Sequence, residues 1–306
     1  MSAYDFVTVD VFTTERFRGN PLAVFPDARG LDDETMQAIA AEFGYSEITF
    51  VLPPEDTQND ARVRIFTPTT EIPFAGHPNV GTAYVLGRLP SLFGKPLGRK
   101  LRFEELAGLV TIDLRLDGDT VTGATIRAPQ ALTIGETTVE PALIARCASL
   151  SADDIATTTH APSFVSVGLP FAVAQLSGLD ALAAARPNIT AFHEAAGRHR
   201  QVGADFSLFL YVRSPDNPWT IRARMFAPLD NIMEDPATGS ASAALAAFLA
   251  TLSPEAEAVR TITIEQGVEM GRRSVITIDV VKRDGVVRDV HVSGDCVDVI
   301  RGAIAV

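Results

Sequence analysis

The sequence predicts an α+β protein of two pseudo-symmetric domains, each a barrel-like, mostly antiparallel sheet wrapped around one central helix. Three observations lead to this prediction: an internal repeat, many short segments in which apolar and polar residues alternate, and helical segments rich in small residues. Self-similarity along a chain indicates a duplicated structural unit. Alternation with a period of two is typical of half-buried strands.

The repeat consists of motifs that recur in the same order in both halves. Arg64–Pro68 (R-I-F-T-P) returns as Arg224–Pro228 (R-M-F-A-P), and each is followed by a Pro-containing turn that leads into a helical segment. The turns are His77–Ala83 (H-P-N-V-G-T-A) and Asp235–Ala241 (D-P-A-T-G-S-A), so this alignment makes their first residues equivalent. Three further pairs match around them: Gly19–Val24 with Gly168–Val173, Phe43–Leu52 with Val202–Tyr211, and Val110–Gly118 with Val275–Gly285.

Helices interrupt the strand signals in each half. Asp32 is a suitable N-cap for a helix over Asp33–Phe43, and Gly44 ends it. A second helix runs from about Pro78 to Leu89, and its counterpart in the other half runs from about Ala237 to Leu252. Small residues in these later helices let strands approach the helix axis on several sides. The strand signals of the first half are Phe6–Phe12, Leu22–Phe25, Ile48–Leu52, Ala61–Phe66, Val110–Leu116 and Val121–Arg127.

The end of the chain breaks the symmetry. Asp295–Ile304 has no counterpart in the first half, and we expect this segment to cross back and join the sheet of the first domain. The predicted domains are therefore residues 1–128 together with a returning strand at 295–306, and residues 129–294.

Composition narrows the possible functions. The 306 residues carry a net charge of -12, which disfavours nucleic acid and anionic membrane surfaces as partners. The longest apolar stretch, Ala241–Leu252, is too short to span a bilayer, and the N-terminus lacks a secretory signal pattern. Cys147 and Cys296 are far apart, without metal-ligand spacing or a disulfide framework. We therefore expect a cytoplasmic protein.

The two turns are the first candidates for a site. Both bring a Gly and a hydroxyl residue to a helix start, where backbone N–H groups and the helix dipole favour an anion. Ordinary helix capping would explain one such turn equally well. If the halves pack with pseudo-two-fold symmetry, His77 and Asp235 form a pair that orients a substrate or shuttles a proton.

Glu47 is a candidate for a different reason. It enters an otherwise apolar strand at a place where the repeat has Phe206, so we expect its carboxyl group to be partly desolvated. Desolvation disfavours the charged form and makes a carboxyl group a usable acid/base near neutral pH. The alternative is a strand-edge glutamate in water. Glu71 is more readily interpreted as a surface charge of a loop.

Other chemistries find no support in the motifs. The sequence has no G-x-G-x-x-G after a strand, no P-loop and no H-E-x-x-H. The remaining histidines are scattered and suggest no metal set: His160, His193, His199 and His291. These patterns therefore indicate neither a nucleotide-binding fingerprint nor a metal site.

Several of these motifs together resemble the PhzF family, which has the diaminopimelate-epimerase-like fold. The resemblance lies in Val9–Phe12 (V-D-V-F), Phe17–Val24 (F-x-G-N-P-L-A-V), Ser46–Phe50 (S-E-x-T-F), Phe74–Pro78 (F-A-G-H-P) and Glu234–Ala241 (E-D-P-A-T-G-S-A). It spans nearly the whole chain. It implies a homodimeric isomerase without metal or organic cofactor, similar to the enzyme that isomerises trans-2,3-dihydro-3-hydroxyanthranilate.

The resemblance also implies roles for individual residues. The catalytic glutamate of the family falls on Glu47, with His77 and Asp235 as further catalytic residues. Substrate-binding positions, which include backbone N–H groups for a small anionic substrate, fall on Gly76, Gly239, Ser240 and Asn20. Asn79 and Ile48 depart from the usual family residues, both Thr, so the resemblance leaves substrate choice open.

Two alternatives remain beside this interpretation. One is an epimerase or racemase acting on another amino-acid-derived substrate. The two-cysteine form of that chemistry is disfavoured, since neither Cys147 nor Cys296 lies in a Gly-flanked, electropositive turn. The other alternative is a non-catalytic member of the fold that binds a small ligand or a protein.

Overall fold

A computed structural model describes residues 2–200 and 205–306. The chain divides into two compact units, Met1–Arg127 with Ser293–Val306, and Ala128–Val292. The domain limits predicted from the sequence fall at 128/129 and 294/295. We call the two units unit 1 and unit 2. Among the described residues, no helix is long and apolar enough to cross a membrane.

Unit 1 is a sheet of short strands with two helices. In chain order its elements are β1 (Ala3–Val11), β2 (Asn20–Phe25), α1 (Asp33–Phe43), β3 (Ile48–Leu52), β4 (Ala61–Phe66), β5 (Glu71–Ile72), α2 (Gly76–Leu86), β6 (Lys100–Glu105), β7 (Gly108–Asp117) and β8 (Thr120–Arg127). Most neighbouring strands are antiparallel, whereas β2 pairs with β3 and β4 pairs with β6 in parallel.

The predicted caps of α1 are confirmed. Asp32 Oδ1 accepts a hydrogen bond from the Thr35 N–H at 2.8 Å. Gly44 has a φ of 63°, and its N–H donates to the carbonyl oxygen of Ala40. A left-handed residue at this place suits glycine because it has no Cβ.

Helix α2 is the centre of unit 1. Every residue from His77 to Leu86 is buried, as expected for a helix surrounded by apolar structure, and the helix contacts β1, β2, β3, β7 and β8. A Cβ on Gly81 would lie 2.6 Å from Leu22 Cδ2 and 2.8 Å from Val11 Cγ2. The small residues therefore do let the strands approach the helix axis. The helix begins at Gly76 rather than Pro78.

Unit 2 repeats this plan with additional helices on its outside. Its elements are β9 (Thr133–Thr138), α3 (Pro141–Cys147), β10 (Ile155–Ala156), β11 (Ser163–Ser166), β12 (Pro170–Leu176), α4 (Leu179–Ala184), α5 (Ile189–Arg198), β13 (Leu208–Arg213), β14 (Thr220–Ala227), β15 (Ile232–Asp235), α6 (Gly239–Leu252), β16 (Ala258–Gln266), β17 (Ser274–Arg283) and β18 (Val286–Ala305). The central helix, α6, is buried from Ala241 to Ala250. It contacts β11, β12, β16 and β17.

Strand β18 is shared by the two units. It is 20 residues long, and its C-terminal half, from Cys296 to Ala305, pairs antiparallel with β1. The end of the chain therefore completes the sheet that surrounds α2.

Strand pairing changes the repeat alignment around Glu47. Ile48 lies opposite Phe66 in unit 1, and Leu208 lies opposite Phe226 in unit 2. Since Arg64–Pro68 corresponds to Arg224–Pro228, the counterpart of Glu47 is Ser207. The alignment with Phe206 was wrong by one residue. The first residues of the matching segment, 202–204, lie outside the described residues.

Strand pairing also corrects the predicted equivalence of His77 and Asp235. Ile65 lies opposite Ile72, and its counterpart Met225 lies opposite Asp235. The place of Asp235 is thus taken by Ile72 in unit 1. Four residues after each of these, a helix begins, at Gly76 and at Gly239. The counterpart of His77 is therefore Ser240. The alignment from sequence similarity paired the two Pro-containing turns, His77–Ala83 with Asp235–Ala241. The strand register instead pairs the two helix starts, Gly76 with Gly239.

Candidate active site

Glu47 lies immediately before β3, and its side chain is 15 % exposed. Burial raises the pKa of this carboxyl group to about 7, and the neighbouring Ser46 hydroxyl offsets a smaller part of the rise. Among the described residues, no donor forms a hydrogen bond with Glu47 Oε2. A carboxyl group with a pKa near neutrality can both accept and return a proton. The expectation of a desolvated Glu47 is therefore confirmed. The alignment of Glu47 with Phe206, on which that expectation was based, is not.

His77 faces Glu47 from the first turn of α2. His77 Nε2 lies 3.6 Å from Glu47 Oε2, and Asn20 Nδ2 lies 3.4 Å from His77 Nδ1. An amide N–H donating to Nδ1 leaves the proton of a neutral imidazole on Nε2, on the side of the carboxyl group. The Ser46 hydroxyl in turn lies 3.4 Å from Asn20 Oδ1. Unit 1 thus brings Glu47, His77 and Asn20 together.

Two buried hydroxyl groups connect the elements that carry this cluster. Thr49 Oγ1 and Thr82 Oγ1 are 2.7 Å apart, and both residues are fully buried. Because Thr49 lies on β3 and Thr82 on α2, their hydrogen bond holds the strand of Glu47 against the helix of His77. The sequence analysis did not identify this contact. Both threonines lie in repeated segments, Phe43–Leu52 and His77–Ala83, but the sequence pattern does not show which hydroxyl groups meet.

The start of α2 carries Gly76 beside His77. Its N-cap residue, Ala75, makes no side-chain capping bond. An uncapped helix start presents backbone N–H groups and the positive end of the helix dipole, which suits an anion. The helix start of unit 2 is similar in this respect, because Thr238, the N-cap residue of α6, also makes no side-chain capping bond.

In unit 2, Asp235 ends β15 and is 7 % exposed. Its Oδ2 accepts a hydrogen bond from the Thr238 hydroxyl at 2.5 Å. Gln266, which is fully buried, donates from Nε2 to the carbonyl oxygen of Asp235 at 2.7 Å and to Thr238 Oγ1 at 3.0 Å. Its Oε1 accepts from the Thr238 N–H at 3.0 Å. These bonds fix the turn from Asp235 to Gly239 and Ser240.

Gln266 was missed by the sequence analysis, although the alternation of β16 contains a signal for it. Ile262 and Ile264 point inward on this strand and are fully buried. Two residues later the same face carries an amide. A polar residue in an inward-facing position needs hydrogen-bond partners, and here they belong to the turn of Asp235.

The segments before the two helix starts are anchored in the same way. Arg64 donates through Nε and Nη2 to both carboxyl oxygens of Glu71, at 2.8 and 2.6 Å. Arg224 makes the same two-pronged contact with Glu234, at 2.8 Å for each bond. The interpretation of Glu71 as a surface charge of a loop was therefore wrong, since its side chain is 19 % exposed and lies on β5.

The remaining candidate chemistries concern metal and thiols. Among residues 2–200 and 205–306, no group of three or more His, Cys, Asp or Glu side chains is arranged to hold a metal ion. Cys147 and Cys296 are buried. Burial raises the pKa of the Cys147 thiol to about 12 and raises that of Cys296 as well. Neither thiol is therefore suited to act as a base near neutral pH.

Comparison with known proteins places this geometry in a family. The family model PhzC-PhzF, described as phenazine biosynthesis-like protein, matches residues 9–302. An uncharacterized isomerase of Mesorhizobium japonicum is 36% identical over 307 residues, covering 99% of both chains. Trans-2,3-dihydro-3-hydroxyanthranilate isomerase of Pseudomonas fluorescens is 35% identical, covering 98% of this chain and 99% of that protein.

A solved structure supports the fold. The PhzF-family phenazine biosynthesis protein of Bacillus anthracis superimposes with a TM-score of 0.87 at 24% identity, covering 100% of both chains. The predicted fold class is confirmed by this likeness. The chain belongs to the PhzC-PhzF family of phenazine biosynthesis-like proteins, and it is an enzyme of the isomerase class.

Proposed function

We propose that this isomerase moves one proton within a small carboxylate substrate, with Glu47 as the single acid/base and without a metal or organic cofactor. The observation that carries the proposal is the buried carboxyl group of Glu47, whose pKa burial raises to about 7. One recycled proton needs only one such group. The deprotonated form accepts the proton from a substrate carbon, and the resulting acid returns it to another position.

The other candidate residues bind and orient the substrate in this proposal. The helix starts of α2, at Gly76 and His77, and of α6, at Gly239 and Ser240, are the candidate binding places for a substrate carboxylate. The Asp235 carboxylate, which Thr238 and Gln266 hold in place, positions a hydroxyl or amino group.

His77 supports substrate binding in this mechanism. With its proton on Nε2, it presents an N–H group 3.6 Å from Glu47 Oε2. That separation is longer than a hydrogen bond, so in this proposal the N–H group orients the substrate rather than the carboxylate of Glu47. Asn20, at 3.4 Å from Nδ1, holds the imidazole ring in this tautomer.

The first substrate to test is trans-2,3-dihydro-3-hydroxyanthranilate, the compound in the name of the Pseudomonas relative. The experiment follows turnover and deuterium incorporation by NMR in heavy water. It compares wild type, Glu47→Gln, and Glu55→Gln as a matched control whose carboxylate is 77 % exposed. We expect turnover by wild type and by the control, and loss of at least about 100-fold in the Glu47 variant with substrate binding retained.

Other outcomes separate the parts of the proposal. Turnover by Glu47→Gln at the wild-type rate would refute the mechanism. Deuterium exchange at an α-carbon with inversion, on another amino-acid-derived carboxylate, would establish an epimerase. Binding without exchange on any carboxylate would indicate a non-catalytic member. Loss of activity with a chelator would contradict the absence of a metal.

Assembly and location complete the proposal. The family resemblance predicts a homodimer, which light scattering of the purified protein measures directly. A mass of a single 32.7 kDa chain at micromolar concentration would contradict it. The cytoplasmic location stays a prediction from the sequence, and cell fractionation would test it.

A further inference from the structure

Strand β3 carries a single polar side chain. It reads I-T-F-V-L, and its threonine, Thr49, is fully buried. On the facing helix α2, Thr82 is fully buried as well. Burial of a hydroxyl group costs free energy unless the group is hydrogen-bonded, and these two hydroxyl groups, 2.7 Å apart, bond each other. Because the bond mainly offsets the cost of burying both groups, stability alone does not explain why threonines occupy these two places.

The corresponding places in unit 2 are apolar. The strand register and the helix starts described above make Phe209 the counterpart of Thr49 and Leu245 the counterpart of Thr82. Both Phe209 and Leu245 are fully buried. The repeated fold can therefore be built with apolar side chains at both places, and it does not require a hydroxyl group at either.

The hydroxyl pair belongs to the unit that carries the proposed acid/base. The counterpart of Glu47 in unit 2 is Ser207, which has no carboxyl group. Unit 2 thus lacks both the carboxyl group and the hydroxyl pair at these places, whereas unit 1 has both. This coincidence indicates that the bond between the two threonines serves the placement of the carboxyl group.

The segment from Glu47 to Thr49 meets α2 at two points. Glu47 and Thr49 are two residues apart, so their side chains lie on the same face of the strand, about 7 Å from each other. His77 and Thr82 are five residues apart on α2, which corresponds to about 7.5 Å along the helix axis. The approach of Glu47 to His77 and the bond between the threonines are therefore neighbouring contacts of the same two chain segments.

The two contacts differ in how firmly they fix the segments. Glu47 Oε2 lies 3.6 Å from His77 Nε2, which is longer than a hydrogen bond. The apolar contacts around them are non-directional, whereas a hydrogen bond has a preferred distance and angle. The threonine oxygens are 2.7 Å apart, but a methyl carbon in the place of either would need about 3.5–4.0 Å. Loss of a hydroxyl group would therefore shift the strand relative to the helix.

We propose that Thr49 and Thr82 are positioning residues: their hydrogen bond fixes β3 against α2, and thereby sets the place of the Glu47 carboxyl group relative to His77. Neither threonine touches the substrate in this proposal. Its consequence for catalysis rests on the proposed function of Glu47, whereas the placement of the carboxyl group does not.

The test compares wild type with Thr82→Val, Thr49→Ala and Thr82→Ser. The valine and the alanine remove the bond, and the serine keeps it. Thr49→Ala adds no atom to the core, so it decides the question where the valine prevents folding. Thr8→Val is the matched control, since Thr8 is 2 % exposed and its hydroxyl accepts from the Ile300 N–H at 3.0 Å. This control removes a buried hydroxyl bond between β1 and β18, which carry neither Glu47 nor His77.

The first measurement is the titration of the Glu47 carboxyl group by carbon NMR, with its signal assigned from Glu47→Gln. A looser strand admits water to this group, so its pKa should fall from about 7 towards its ordinary value. We expect a fall of at least about half a pKa unit in Thr82→Val and Thr49→Ala, and no change in Thr82→Ser and Thr8→Val. Urea unfolding should show reduced stability in both Thr82→Val and Thr8→Val, so that loss of stability alone does not account for the difference.

The second measurement is turnover of trans-2,3-dihydro-3-hydroxyanthranilate. A displacement of about 1 Å at a reacting group can cost about 100-fold in rate, so kcat should fall about 10- to 100-fold in the two variants without the bond. KM should change less than about threefold, and Thr82→Ser should stay close to wild type.

An unchanged titration of Glu47 in Thr82→Val and Thr49→Ala would overturn the proposal, and so would an equal change in Thr8→Val. The titration does not depend on turnover. If Glu47→Gln keeps full activity, the proposed function fails, while the titration still decides whether the two threonines place the carboxyl group.

Discussion

Replacing Glu47 by glutamine should stabilise the protein while removing its activity. In the fold, burial raises the pKa of this carboxyl group from 4.5 to about 7. The unfolded chain therefore loses its proton at lower pH than the native protein. Ionisation between these two values favours unfolding of wild type. Glutamine has no proton to lose, so the variant avoids this cost.

The magnitude follows from the two pKa values. One pKa unit corresponds to about 1.4 kcal/mol, so the shift from 4.5 to about 7 amounts to at most about 3–4 kcal/mol. The glutamine amide itself must be accommodated in the same buried place, which reduces the net gain to about 1–3 kcal/mol. The gain should be absent below pH 4.5, grow between pH 4.5 and about 7, and stay constant above pH 7.

Urea unfolding of wild type and Glu47→Gln at several pH values from 4 to 8.5 measures the difference directly. Glu55→Gln is the control, since its exposed carboxylate should show no such growth with pH. A Glu47→Gln variant whose free energy of unfolding differs from wild type by the same amount at pH 4 and pH 8 would refute a desolvated Glu47. It would also remove the main support for the acid/base proposal.

Three further predictions concern stability and the turn of Asp235, each measured by urea unfolding. Gly81→Ala should cost about 1–3 kcal/mol, because its Cβ would overlap strands β1 and β2; an unchanged stability would contradict close packing around α2. Gln266→Ala should lower the free energy of unfolding by about 1–3 kcal/mol, because it leaves buried groups of the turn without partners. It should also lower kcat more than Gln266→Glu does when both are measured at low pH, where the introduced glutamic acid is protonated. Equal kcat values for the two variants would contradict a role in positioning. Arg224→Met should cost about 3–5 kcal/mol, since it removes a buried guanidinium and leaves the partly buried Glu234 without its partner. The exposed control Arg29→Met should cost less than about 1 kcal/mol. Similar losses in both variants would contradict the anchoring role.

Local features of the chain could be predicted from the sequence because their causes are local. The caps of α1 depend on Asp32 and Gly44, which act on backbone groups a few residues away. The central helices could be predicted from small residues such as Gly81, whose missing side chain is needed wherever strands approach closely. Glu47 could be recognised as a carboxyl group at the start of an apolar strand, because the apolar residues that follow it are visible in the sequence.

The partners of the site residues depended on the tertiary structure. Only strand register showed that His77 corresponds to Ser240, and that Asp235 corresponds to Ile72. The hold of Gln266 on the turn of Asp235 joins residues about 30 positions apart, and the hydrogen bond between Thr49 and Thr82 joins β3 and α2. The sequence by itself determined which groups could carry the chemistry. Folding decided which of them are desolvated and which neighbours hold them, because burial and hydrogen bonding are set by segments that meet only in the packed structure.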